Sequence, residues 1–388
     1  KLSEISVFIQ EVFSGIRVVK SFSRETYFQS DYEKRSEEYK DVSMHLVKVN
    51  ALFMPSMLLL VGLSTIITIY AGSMEVLNGR LTIGNIAEFV IYVNMLTWPV
   101  ASMGWVISIV QRASASQRRI DEFLDKKPNV KSGQTSVNKE EMSVRFNHVS
   151  VTYPNSNIKA LQDVSFEVKA GQSIGVIGKT GAGKSTLVQL LLRFIDPDTG
   201  TLSINNTDLR DLNLREYREQ IGSVPQDVFL FSDSIANNIS FGLKTDFTKD
   251  DVRWAAQQAV IDENIQQFPE GYETIVGERG ITLSGGQKQR VSIARAIIKR
   301  PAMLIFDDCL SAVDTVTEER ILNNLRTLMQ GKTTFLISHR ISTVKSASHI
   351  IVLENGRISE EGTHESLIQK KGIYYEMYQS QNPDADNG

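Results

Sequence analysis

The run from Gly178 to Ser185, GKTGAGKS, follows the apolar stretch QSIGVIG and precedes TLVQLLLRF. Its spacing, G-x-x-x-x-G-K-S between a strand-like and a helix-like segment, is that of a phosphate-cradling loop. Gly178, Lys179, Thr180, Gly181, Ala182 and Gly183 let successive backbone amides curl around a phosphate, and the N-terminus of the next helix adds its positive dipole end. Lys184 is placed to reach the β- and γ-phosphates of a nucleotide, the Ser185 hydroxyl to ligate magnesium, and Thr186 stands beside them in the first helical turn. A second candidate is AMLIFDD, residues 302 to 308, an apolar strand ending in Asp307 and Asp308. A carboxylate at the carboxyl end of such a strand suits magnesium held directly or through water. Taken alone, it suits equally well a cap for the following turn.

A third candidate is LSGGQKQR, residues 283 to 290. Ser284 and Gln287 have the spacing of a capping box, which accounts for both residues without any ligand. Gly285 and Gly286 are left over, and two glycines at a helix start open the backbone to an anion. Two phosphate-binding devices that cannot meet within one chain would form one site between two chains.

These devices need a scaffold, and the chain has 388 residues, room for two or three domains. Lys and Arg number 42 against 45 Asp and Glu, a net charge of -3, so no overall basic field points to nucleic acid. The lone Cys309 excludes an intrachain disulfide and a multi-cysteine zinc site. The chain starts on Lys1 with no signal-peptide pattern, which reads as an internal start.

Residues 51 to 72 and 89 to 110 carry no charged side chain and are long enough to cross a bilayer as helices, although a buried core helix has the same signature. Lys34, Arg35, Lys40 and Lys48 precede the first run and Arg112, Arg118, Arg119, Lys126 and Lys127 follow the second, while Arg80 stands alone between them. That distribution puts both outer flanks in the cytoplasm. Before the runs, Ile5, Phe8, Ile9, Val12, Phe13, Ile16 and Val19 share one face, predicting a long amphipathic helix interrupted at Gly15, with a turn within residues 23 to 32. Residues 1 to 124 thus read as membrane-associated and helical, and 125 to 141 as a polar linker. Residues 142 to 380 alternate strand and helix patterns, and 381 to 388 form a loose tail. The fully apolar strands predict a parallel sheet, the alternating ones from 142 onward an antiparallel part, and Asn355-Gly356 a hairpin.

The ordered set of GKTGAGKS, Gln226 in SVPQDVFLF, LSGGQ, the 302 to 308 strand, SAVD at 311 to 314 and His339 in LISHR resembles the ATPase domain of an ABC transporter. The helical part resembles the end of the membrane domain of an exporter half-transporter of the lipid-flippase and multidrug-exporter type. The resemblance implies an α/β P-loop ATPase domain, with antiparallel β and α-helical subdomains, preceded by an all-α transmembrane fragment. It implies ATP and Mg2+ as cofactors and an integral membrane protein of a bacterial inner or plasma membrane with the ATPase in the cytoplasm. By the same resemblance, Tyr153 stacks on adenine and Gln226 senses magnesium and the attacking water. Ser284, Gly285 and Gly286 bind the γ-phosphate held on a partner's loop, with Gln287 completing that motif. Asp314 lies at the dimer seam, His339 bonds the γ-phosphate, and 23 to 32 aligns with a coupling helix. The partners implied are a second half-transporter, membrane lipids and a transported lipid, drug or other amphipathic solute, with no nucleic acid.

Two departures stand out. The family usually places Glu where this chain has Asp308, one methylene shorter, which resembles the weakened site of heterodimeric exporters and favours a heterodimer over a homodimer by a small margin. Half-transporters of this type have six spans and two are present, predicting four before Lys1. A regulatory subunit with a hydrolysis-weak site is the alternative. A chromosome-maintenance ATPase would need long heptads between Lys184 and Ser284, which are absent from the sequence there.

Overall fold

A computed structural model describes residues 1–137, 142–154, 156–243, 247–277 and 283–381. The last residues of the expected linker, 138–141, and residues 382–388 of the tail expected over 381 to 388 lie outside the described residues, while Gln381 ends a helix instead of opening the tail. The chain divides into two compact units, Lys1–Lys127 and Pro128–Gly388.

The first unit contains α1 (Leu2–Ser14), α2 (Ile16–Ser21), α3 (Glu25–Leu77) and α4 (Ile83–Leu124). Gly15 separates α1 from α2 as expected. The expected amphipathic helix through residue 50, with a turn spread over 23 to 32, is corrected: the break is confined to residues 22 to 24. From Glu25 the sequence holds no Gly or Pro until Pro55, so nothing stops a helix before the uncharged run extends it. The result is a helix of 53 residues, about 80 Å at 1.5 Å per residue and far longer than a hydrocarbon core of about 30 Å. The polar half of α3 therefore projects beyond any bilayer that its apolar half crosses. A capping box between Thr82 and Asn85 opens α4, and Gly72 lies so near Ile86 that a Cβ there would come within 2.8 Å of its Cγ1. Leu59, Ile66, Trp98 and Trp105 are exposed on these helices, as lipid-facing side chains would be.

The second unit begins with β1 (Val144–Tyr153), β2 (Ile158–Val168), β3 (Ser173–Gly178), α5 (Lys184–Leu191), β4 (Thr199–Ile204), β5 (Thr207–Asp208) and α6 (Leu214–Glu219). It continues with β6 (Ile221–Val224), β7 (Asp233–Ser234), α7 (Ile235–Ser240), α8 (Lys249–Gln258), α9 (Asp262–Gln266) and β8 (Ile275–Val276). It ends with α10 (Gly285–Ile297), β9 (Met303–Asp307), α11 (Thr315–Met329), β10 (Thr333–Ile337), α12 (Ile341–Val344), β11 (His349–Glu354), β12 (Arg357–Gly362), α13 (His364–Lys370) and α14 (Ile373–Gln381).

Among the described residues, the strands form a six-stranded sheet of order β12-β11-β3-β10-β9-β6, a four-stranded sheet β2-β1-β4-β5 and the small pair β7-β8. β11, β3, β10, β9 and β6 run parallel, and β12 pairs antiparallel at the edge. Every residue of β9 and β10 is buried, which explains their unbroken apolar runs. The four-stranded sheet is antiparallel throughout. One core fills the space between the two large sheets and α5, where Phe146 stacks on Phe166 at 4.5 Å. The other core joins the parallel sheet to α7, α8, α10 and α14. Asn355 and Gly356 have φ of 49° and 77°, the geometry a two-residue hairpin turn needs between β11 and β12.

Candidate active site

The loop from Gly178 to Lys184 owes its path to two left-handed glycines and two close approaches. Gly181 and Gly183 adopt φ of 82° and 105°, which side-chain-bearing residues rarely reach. A Cβ on Gly183 would stand 2.5 Å from the Ala160 carbonyl oxygen, and one on Gly178 2.4 Å from that of Leu353. The loop is thus pressed between β2 and the end of β11. Gly183 is the N-cap of α5 and no side chain caps the helix, so the amides of its first turn remain available to a ligand. Lys184 folds back over the loop and donates to the Gly178 and Lys179 carbonyls at 2.6 and 3.0 Å.

Parallel register brings the second group of residues to the same end of the sheet. Asp307 ends β9 opposite Ile337 of β10, so Asp308 and His339 leave neighbouring strands side by side. Asp308 takes a left-handed φ of 47°, its amide donates to the Ile337 carbonyl at 2.7 Å, and its Oδ1 accepts from Ser338 Oγ at 3.1 Å. His339 Nδ1 lies 2.9 Å from the same Oδ1. A cleft of about 310 Å³ is lined by Tyr153, Thr180, Gly181, Gly183, Lys184, Ser185, Thr186, Gln226, Asp307, Asp308 and His339, with Ile158 and Ala160. That is room for a ligand of nucleotide size.

Gly178, Lys179 and Ala182 do not line the cleft, and Ala182 is buried in the core. Ser284, Gly285, Gly286 and Gln287 lie outside it. The capping box is formed: the Gln287 amide donates to Ser284 Oγ at 3.3 Å and the Ser284 amide to Gln287 Oε1 at 2.9 Å. The glycine pair has a packing reason that the sequence did not disclose. A Cβ on Gly286 would sit 2.8 Å from the Ala312 carbonyl oxygen. Asp314, expected at a dimer seam, caps α11 by accepting from the Thr317 amide at 2.9 Å. Tyr153 contributes its hydroxyl as well as its ring, donating to Gln189 Oε1 at 3.0 Å and lying 3.1 Å from Thr186 Oγ1.

Charge in the cleft is balanced through desolvation. Burial pulls the Lys184 ammonium below its usual pKa, against the opposing pull of Asp308 and Asp307. Burial pushes Asp307 up to about 6, Asp308 and Asp227 push the same way, and Lys184 opposes them. Such a carboxylate lacks a full countercharge, and a divalent cation would supply one. The donors beside it, the Ser185 hydroxyl and the Gln226 amide, are hard oxygen ligands. Magnesium takes one or two carboxylates, a few neutral oxygens and phosphate oxygens. Among the described residues no group of three or more His, Cys, Asp or Glu side chains is arranged to hold a metal ion by itself, and such a magnesium site needs none.

Comparison with known proteins agrees with this geometry. Residues 161–311 match the ABC transporter family and residues 1–100 the ABC transporter transmembrane region. The chain is 40% identical to a probable multidrug resistance ABC transporter ATP-binding/permease protein, YheI, of Bacillus subtilis over 96% of its own length. The chain belongs to the ABC transporter family. It is also 38% identical, over 98% of its length, to the ATP-dependent lipid A-core flippase of Desulfotalea psychrophila. A solved structure of a bacterial Atm1-family ABC exporter with ATP bound superimposes with a TM-score of 0.87 at 32% identity, covering 98% of this chain and 66% of that one. The chain spans 64% of the length of YheI and 66% of the flippase.

The ABC fold also holds residues that no motif announced. Glu318, only 5% exposed, accepts from Arg340 Nη1 at 2.8 Å and from Ser342 Oγ at 3.0 Å. Arg340 Nη2 donates to the Ser311 carbonyl at 3.0 Å. Gln289 donates to Ser311 Oγ and accepts from the Ala312 amide, both at 3.0 Å. One network therefore joins the LSGGQ helix, the SAVD turn and the segment after His339. A larger groove of about 1060 Å³ lies elsewhere on the unit, beside Phe194, Arg218, Phe241 and Arg295. Phe229 and Phe241 are 66% and 62% exposed. Phe231 lies 5.1 and 4.6 Å from those two rings, and Arg295 stands 5.8 Å from both Phe231 and Phe241.

Proposed function

We propose that the chain is part of an ATP-driven exporter, joining a membrane-spanning region to an ATPase whose sites form between two chains. The observation that carries this reading is that Thr180, Gly181, Gly183, Lys184, Ser185, Gln226, Asp307, Asp308 and His339 line one cleft, while LSGGQ, equally recognisable, lies outside it. A second copy or a paralogous half-transporter would bring its Ser284, Gly285 and Gly286 to this cleft.

The loop amides and Lys184 hold the β- and γ-phosphates, Tyr153 packs on adenine, and Ser185, Gln226 and Asp307 would hold magnesium, whose contribution is to neutralise developing phosphate charge. Asp308 orients the attacking water and accepts its proton. His339, fixed against Asp308 on one side, bonds the γ-phosphate. Because Asp308 is a methylene shorter than Glu and already engaged by Ser338 and His339, its reach toward water is limited, which supports a slow site paired with a faster one. Pro225, next to Gln226 in the chain, lines the larger groove, so the groove suits the coupling of nucleotide state to a docked cytoplasmic helix. Residues 23 to 32 have matching chemistry, an exposed Tyr27 and an acidic Glu25, for a groove lined by aromatic residues and by Arg215, Arg218 and Lys299. An amphipathic solute or lipid is the cargo class.

The test is ATPase activity of the full transporter in lipid, alone and with its candidate partner. Asp308→Asn is expected to abolish turnover at this site and Asp308→Glu to raise it severalfold. Wild-type turnover in Asp308→Asn would instead mean that the site only binds nucleotide, the regulatory alternative.

A further inference from the structure

The segment that carries His339 is held from a side no motif reaches. Gln381, at the end of α14, donates from Nε2 to the His339 carbonyl at 2.7 Å and accepts from the Ile341 amide at 2.8 Å. Its one side-chain amide thus bridges the two backbone groups that flank Arg340. Both would otherwise have no strand or helix partner, since β10 has ended and α12 has only begun.

The helix that presents Gln381 is anchored at its far end. Glu360, on β12, accepts from the Ile373 and Tyr374 amides at 2.6 and 3.2 Å and so closes the N-terminus of α14. Tyr374 is fully buried, and its hydroxyl lies 2.8 Å from His364 Nδ1. From that anchor nine helical residues, about 13 Å at 1.5 Å each, set where Gln381 arrives. On the opposite face of the same segment, Glu318 holds Arg340 and Ser342.

We infer that Gln381 is a positioning residue for His339: a clamp by which α14 fixes the backbone of the histidine segment, so that the end of the chain sets how well His339 meets the γ-phosphate. This inference rests on the assignment of His339 to the γ-phosphate. Gln381 itself touches only backbone and has no part in nucleotide affinity.

The experiment uses the full transporter. In the nucleotide-free protein, Gln381→Ala is expected to speed amide hydrogen exchange in the 338–345 segment about tenfold, with the exchange of β3 and β9 unchanged. Gln381→Glu keeps the acceptor for the Ile341 amide but loses the donor to His339, and falls between. In turnover, Gln381→Ala lowers kcat about three- to tenfold with KM for ATP within twofold of wild type. In a His339→Ala background the same change has no further effect on kcat. Unchanged exchange, a parallel rise in KM or a full additive loss in the His339→Ala background would overturn the clamp. Should His339→Ala leave turnover intact, the γ-phosphate assignment fails, while faster exchange in Gln381→Ala still decides whether the clamp exists.

Discussion

The two glycine-rich helix starts of this molecule, at α5 and at α10, look alike in sequence and are built on opposite principles. At α5 the N-cap is Gly183 in a left-handed conformation, with no side chain over the first turn. At α10 the N-cap is Ser284, and a complete capping box closes on Gln287. The first leaves its helix end unsatisfied so that an anion can complete it. The second is satisfied by itself and keeps glycines for close packing at Ala312 and for amides that the box does not use. An open end takes its ligand alone, whereas a closed end contributes only when another surface is brought to it.

The comparison breaks most visibly at Gly183. Gly183→Ala adds left-handed strain and a Cβ 2.5 Å from a carbonyl oxygen. It should cost at least about 2 kcal/mol of stability and abolish ATP binding, read by thermal unfolding and by nucleotide titration. Next in size, Lys184→Ala should weaken ATP binding about 100-fold with little change in melting temperature, because its hydrogen bonds among the described residues go to two loop carbonyls. Gly286→Ala should leave ATP affinity at the same chain's cleft unchanged and lower turnover about tenfold in the assembled transporter. Its gain in helix propensity offsets only part of the clash with the Ala312 backbone oxygen, so the melting temperature should also fall, though less than in Gly183→Ala. The smallest effect of the four is that of Ser284→Ala, which opens the capping box and should cost about 1 kcal/mol by denaturant unfolding. Equal effects of Gly286→Ala and Lys184→Ala on nucleotide affinity would show that the two helix starts do not differ in kind.

Much of this contrast was legible in the residues. Apolar runs such as MLIFD and TTFLI announced buried parallel strands because burial on both faces leaves no polar alternation. The Ser284 and Gln287 spacing announced the box, and Asn355-Gly356 the turn, because each is decided within four residues. What stayed hidden depends on pairs far apart in the chain. The reason for Gly286 is a backbone brought near by folding. The Arg340–Glu318 and Gln381–His339 contacts join residues 22 and 42 positions apart, and nothing local marks either partner. In the helical region the error was of the opposite sort. A polar stretch with aromatic residues looked like a turn, yet without Gly or Pro the chain simply kept winding from Glu25.

The Ala160 carbonyl has a consequence of its own. Gly183 of the phosphate loop and Gly356 of the hairpin turn both approach it, and neither leaves room for a Cβ. Around it the Gly356 amide donates to the Ala182 carbonyl at 3.2 Å and the Gln162 amide to the Gly356 carbonyl at 2.7 Å. β1, which carries Tyr153, is paired through β2 to this same crossing. The molecule therefore holds its aromatic jaw and its phosphate jaw at a set opening, like a caliper locked by one screw. On the proposed reading, a nucleotide would be gauged by the length from ring to terminal phosphate before any side chain has to tell it apart.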